Sequence, residues 1–157
     1  MLTMEEKAAN YETFRHIERV RNLLGEAIIE ILKRGRLHDQ SKMAEPEVQL
    51  FTELTPKLVD STYEGSDWQE NMRRLKPALD HHYANNRHHP EHFKNGINDM
   101  NLIDLLEMII DWKASSERQN NGNIRKSIEQ NANKFGISPQ LLRILENTAD
   151  LLFNTIS

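Results

Sequence analysis

Apolar residues recur at three- and four-residue steps through almost the whole chain, and no stretch alternates apolar with polar. That periodicity constrains the fold most, because a helical stripe cannot be re-read as a strand. Phe14, Ile17, Val20, Leu24, Ile28, Ile31 and Leu32 predict a helix from about Met4 to Lys33. Gly35 is a plausible stop, with Lys33 and Arg34 suited to the negative helix end. A second helix is expected from Pro46, carrying Val48, Leu50, Phe51, Leu54 and Leu58, with Pro56 ending or kinking it. Glu64-Gly65-Ser66-Asp67 reads as a loop, and Ser66 or Asp67 can cap a third helix carrying Trp68, Met72, Leu75, Leu79 and His82. Asn85 to Asn98 is polar, holds Pro90 and Gly96, and reads as an ordered loop. Asn101 can cap a helix to about Ser116, with Leu102, Leu105, Leu106, Ile109 and Ile110 on its apolar face. Helices from Asn123 to Lys134 and from Ser138-Pro139 onward complete the pattern. The class is all-α, a single-domain bundle of about six helices over residues 1–157.

Histidine placement is the second constraint. All seven histidines fall between His16 and His92, and His81, His82, His88, His89 and His92 crowd one segment. His38 is followed directly by Asp39. Asp111 stands in an apolar helix between Ile110 and Trp112, where a buried carboxylate is costly unless paired or metal-bound. Imidazole and carboxylate together suit manganese, iron, cobalt, nickel or zinc, so one or two divalent transition ions are expected. The plain alternative is a wet-face Asp111 and a surface His16. His81 and His82 point about 100° apart on a helix, so one of them faces a shared site. His82 ranks first as a ligand from this segment, then His81, then His89. Each histidine of the loop can instead bind phosphate or only hydrogen-bond.

The absence of cysteine excludes disulfides, thiolate catalysis, zinc–thiolate sites and iron–sulfur clusters. A net charge of −4 gives no basic field for a nucleic-acid duplex. The first residues are polar rather than signal-like, and no apolar run can span a bilayer, so a cytoplasmic protein without a membrane partner is expected. No glycine-rich phosphate loop, Gly-x-Ser-x-Gly or His-Glu-x-x-His occurs. Oligomeric state is left open, a homo-oligomer included.

The order His16, His38-Asp39, later histidines, Asp111 resembles the HD superfamily of metal-dependent phosphohydrolases, from Glu12 to Arg118. The resemblance implies an all-helical fold in which His16, His38, Asp39 and Asp111 bind one ion. It also implies a second ion, bridged by Asp39 and held by intervening histidines among His81, His82 and His89. His81-His82 before a polar loop resembles the cyclic-dinucleotide phosphodiesterase branch, and Glu12 stands where that branch can hold an extra metal. The run His88-His89-Pro90-Glu91-His92-Phe93 departs from that branch. It is closer to a small uncharacterised family that shares this cluster and the Asp-Trp helix. The implied function is hydrolysis of a small phosphorylated substrate, a nucleotide or cyclic nucleotide. Asp39 holds the metals, and Lys42 and Arg87 are candidate phosphate contacts. Arg118 is a weaker candidate. Glu107, one turn before Asp111, is either a partner behind a ligand histidine or exposed. Two other readings stay open: an HD-like di-iron oxygenase, and a non-catalytic protein that binds metal or nucleotide.

Overall fold

The computed structural model describes residues 3–60, 62, 65–118 and 122–153. The chain is all-α, with six α-helices and no strand among the described residues. It divides into two compact units, Met1–Leu37 and His38–Ser157.

The first unit is one helix, α1 (Met4–Leu37). Thr3 starts it with a reciprocal cap: Glu6 N–H donates to Thr3 Oγ1 (3.1 Å), and Thr3 N–H donates to Glu6 Oε2 (2.7 Å). Arg34 and Arg36 sit in its last turn, where they complement the helix dipole. The helix runs through Gly35 rather than stopping there. A glycine inside a helix costs only about 1 kcal/mol relative to alanine, too little to end 34 residues of otherwise good helix. None of its residues is buried, and Phe14, Ile17, Val20, Leu24 and Ile28 are all exposed.

The second unit holds α2 (Glu47–Asp60), α3 (Ser66–Asn85), α4 (Leu102–Ser116), α5 (Ile124–Phe135) and α6 (Pro139–Phe153). Pro56 and Pro77 both lie inside their helices. Of the loop expected around residue 64, Glu64 lies outside the described residues, and Gly65 is the N-cap of α3. The polar stretch after Asn85 is ordered by two 3-10 turns, Pro90–His92 and Gly96–Asp99.

Two apolar clusters hold this unit. Leu54, Leu75 and Ala78 join α2 to α3, with Leu50, Phe51, Leu58, Met72 and Leu79 packed around them. Met108, Ile109, Trp112, Ile124, Ile128, Leu145 and Ala149 join α4, α5 and α6. Fully burying a side chain such as Leu54 or Ile109 contributes about 1.5–3 kcal/mol. Gly136 closes α5 in the left-handed conformation (φ 60°), which lets Ile137 N–H reach back to Ala132 O at 3.0 Å. Between the clusters' helices, α4 has the firmest start. Asn101 accepts from Ile103 and Asp104 N–H, and Asp104 accepts from Asn101 N–H. That cap fixes the register of Glu107 and Asp111. No helix among the described residues is long and apolar enough to cross a membrane.

Candidate metal centre

Asp39 has φ 56° and ψ 15°, the only left-handed non-glycine residue described. Aspartate tolerates this region better than most residues, yet the conformation still costs energy that the surroundings must hold. It reverses the chain into a short 3-10 turn, Gln40–Met43, closed by Lys42 N–H donating to Asp39 O at 2.9 Å. The turn brings two adjacent side chains, His38 and Asp39, to one place.

Asp39 then faces two sets of ligand-type atoms. Its Oδ1 is 3.4 Å from His82 Nε2 and 3.5 Å from His88 Nε2, and His89 Nε2 lies 2.9 Å from His82 Nε2. Its Oδ2 is 3.6 Å from His38 Nε2, which is 3.6 Å from Asp111 Oδ1. These are the sets Asp39, His82, His88, His89 and His38, Asp39, Asp111, each tight enough for one ion. Atoms held about 2.1 Å from a common ion stand roughly 3.0–3.5 Å apart, close to what is seen. Asp39 Oδ1 and His88 Nε2 are buried and have no hydrogen-bond partner. Buried polar atoms are nearly always satisfied. Two such atoms facing each other at 3.5 Å fit a cation as their shared partner.

Carboxylates stand behind these rings. Glu107 Oε1 is 2.9 Å from His38 Nδ1 and 3.1 Å from His88 Nδ1. Glu47, fully buried, accepts from His82 Nδ1 at 2.8 Å through Oε2 and from His81 Nδ1 at 2.7 Å through Oε1. A carboxylate oxygen only accepts, so the Nδ1 atoms bonded to Glu107 and Glu47 carry protons, and Nε2 is the atom that His38, His82 and His88 turn to the centre. Asn86 spends its amide protons on Ser41 Oγ (2.7 Å) and His82 O (2.8 Å), closing the network. A third group, His38, His88 and Glu107, also has ligand spacing. Its contacts run through Nδ1 at hydrogen-bond distance, which marks Glu107 as a support of ligands.

The electrostatics split the centre. Contacts to Asp111 and Glu107 hold the His38 imidazolium, raising its pKa to about 10. Burial, aided by the neighbouring His88, pushes His89 down to about 3. Burial and then Lys42 lower His82. Burial opposes ionisation of Asp39 and Asp111, but Lys42 at Asp39 and His38 at Asp111 prevail and hold both below the ordinary carboxylate range.

Of the residues expected from the sequence, the structure brings together His38, Asp39, His82, His89 and Asp111. His88, crowded among the loop histidines but not ranked as a ligand, belongs with them. His81 does not; one position along α3 turns it to the far oxygen of Glu47. His92 donates to Tyr83 O at 2.8 Å and supports the loop. His16 and Glu12 stand exposed on α1 in the first unit, and neither ligand set uses them. Lys42 Nζ is 2.6 Å from Asp39 Oδ2, with its side chain 40% exposed. Arg87, with its side chain 44% exposed, reaches across to α4. It forms a two-point ion pair with buried Asp104 (3.1 and 2.9 Å) and lies over the Phe93 ring. Arg118 is exposed just past the end of α4. Glu47 left no signal in the sequence, since one glutamate at a helix start reads as a dipole partner.

Fold and site together define an all-α protein with a histidine–carboxylate cluster able to hold metal. The chain belongs to DUF5662, a family of unknown function whose model matches residues 5–151. No curated protein and no solved structure matches it.

Proposed function

We propose that this chain is a metal-dependent phosphohydrolase of the HD type, acting in the cytoplasm on a phosphate ester of a nucleotide or cyclic nucleotide. One observation carries the reading: Asp39 turns one oxygen to each of two ligand sets, and its buried oxygen lacks any partner. Manganese, iron, cobalt, nickel and zinc all suit these donors. Ions bound there supply Lewis acidity and a hydroxide at neutral pH. The chain's own residues do the rest. Glu47 and Glu107 aim the imidazoles. Asp39 fixes the spacing of the two sets. The half-exposed Lys42 ammonium beside Asp39 Oδ2 offers donors to a phosphate oxygen.

The test is elemental analysis of freshly purified protein, then turnover of nucleoside monophosphates and cyclic nucleotides with manganese, cobalt or iron. Hydrolysis is expected in wild type. Asp39→Asn should lower metal content and abolish turnover. Lys42→Ala should keep its metal and lose roughly ten- to hundredfold in rate, the worth of one charge-assisted contact. Metal-loaded protein inert on every ester would remove this reading. Oxygen consumption with iron would then favour the oxygenase, and its absence a binding protein.

A further inference from the structure

We infer that Glu107 couples the two ligand sets, so that ions enter them as a linked pair rather than independently. The coupling rests on the two-set centre proposed above and adds the residue that stands behind both halves. Glu107 lies on α4 with its side chain 11% exposed. Its Oε1 is 2.9 Å from His38 Nδ1 and 3.1 Å from His88 Nδ1. His38 meets Asp39 Oδ2 and Asp111 through Nε2, whereas His88 meets Asp39 Oδ1 through Nε2. The two rings also touch, with centroids 4.4 Å apart and planes tilted by 40°. One carboxylate oxygen thus lies against a ring of each set: it is hydrogen-bonded to His38 Nδ1 and stands 3.1 Å from His88 Nδ1.

An imidazole is rigid. Seating an ion on Nε2 of either ring fixes its Nδ1–H, and with it the position of Glu107 Oε1. The other ring then has its hydrogen-bond partner already in place, so ordering it for a second ion costs less. Asp39 links the same two rings from the metal side. Glu47 provides the internal comparison, because it supports His82 in one set only and turns its other oxygen to His81.

The experiment titrates metal-free, full-length chain with zinc or manganese ions by calorimetry and counts bound ions by elemental analysis. Wild type should take two ions per chain, the second binding at least as tightly as the first. Glu107→Gln should weaken both ions about ten- to hundredfold, the usual effect of removing a ligand's hydrogen-bond partner, and separate them into two independent steps. Glu47→Gln should weaken one ion only. Circular dichroism of each metal-free variant checks the fold. Loss of affinity for one ion alone in Glu107→Gln, or no loss, overturns the coupling. If that variant does not fold, nitrogen-15 spectra of zinc-loaded wild type decide: His38 and His88 should bind through Nε2 with the proton on Nδ1, and ligation of either through Nδ1 refutes it. Wild type that loads both ions together yet hydrolyses no phosphate ester removes the proposed reaction and leaves the coupling. Independent loading in an active enzyme does the reverse.

Discussion

His38 is the residue where protonation and metal binding compete most directly. The native chain holds its proton more tightly than an unfolded chain does, with a pKa near 10 against 6.5. In metal-free protein its contribution to stability is therefore complete below about pH 6.5 and is lost as pH rises through about 10. An ion at His38, Asp39 and Asp111 must displace that proton, so its apparent affinity should rise about tenfold per pH unit between roughly pH 7 and 10. His82 and His89 are shifted the other way and have no proton to give up at neutral pH. Calorimetry in buffers of different ionisation enthalpy should find proton release at pH 8 lower by about one per chain in His38→Ala. Release unchanged in that variant would reject this assignment. The sequence made His38, Asp39 and Asp111 visible because an adjacent pair and an acid among apolar neighbours are unusual. It did not separate His88 from His81, because that choice depends on which side chain a turn of α3 and the loop beyond it send inward. Glu107 was visible as Asp111's neighbour, but its double contact needed the two rings to be 4.4 Å apart in space.

Among the elements, α4 carries the most consequence, since it positions both Glu107 and Asp111. Its start is locked by Asn101 and Asp104, and buried Asp104 is in turn held by Arg87 from the loop after α3. Arg87 thus ties the histidine loop to the helix that faces it. Arg87→Ala leaves a buried carboxylate short of its charged partner and should destabilise the protein by roughly 2–3 kcal/mol. Metal content and the rate at saturating substrate should hold once the variant is folded. A normal urea midpoint with a raised KM would instead return Arg87 to phosphate binding. Asn101→Ala should cost about 1 kcal/mol through loss of the cap. That α4 begins at Asn101 could be read from sequence, as could α6 from Ser138-Pro139, because capping chemistry is local. Arg87 shows its charge in a polar loop for the same local reason, whereas its pairing with Asp104, seventeen positions away, needed the fold. The far end of α1 was misplaced by a few residues because one glycine does not outweigh the helix around it.

For the molecule as a whole, the two ligand sets draw on four separated stretches, at 38–39, 82, 88–89 and 111. All lie in the unit His38–Ser157. An ion that binds only when these stretches meet stabilises the folded state by mass action, about 2.7 kcal/mol at a free concentration one hundred times Kd. Chelation should therefore lower the melting temperature of wild type and leave that of Asp39→Asn unchanged. The effect should also be regional. Opening a protein locally exposes the amides of the stretch that opens, so hydrogen exchange reports where the ion ties the chain. On metal removal, exchange should quicken at residues 38–43, 82–89 and 107–111. The four-residue set is complete without α1, so His16→Ala should keep at least one ion per chain. Slower exchange around His16 on adding metal, with an ion lost in His16→Ala, would give α1 a ligand in the centre. Unchanged exchange at 38–43 and 82–89 in protein that has taken up metal would instead place the ion away from Asp39.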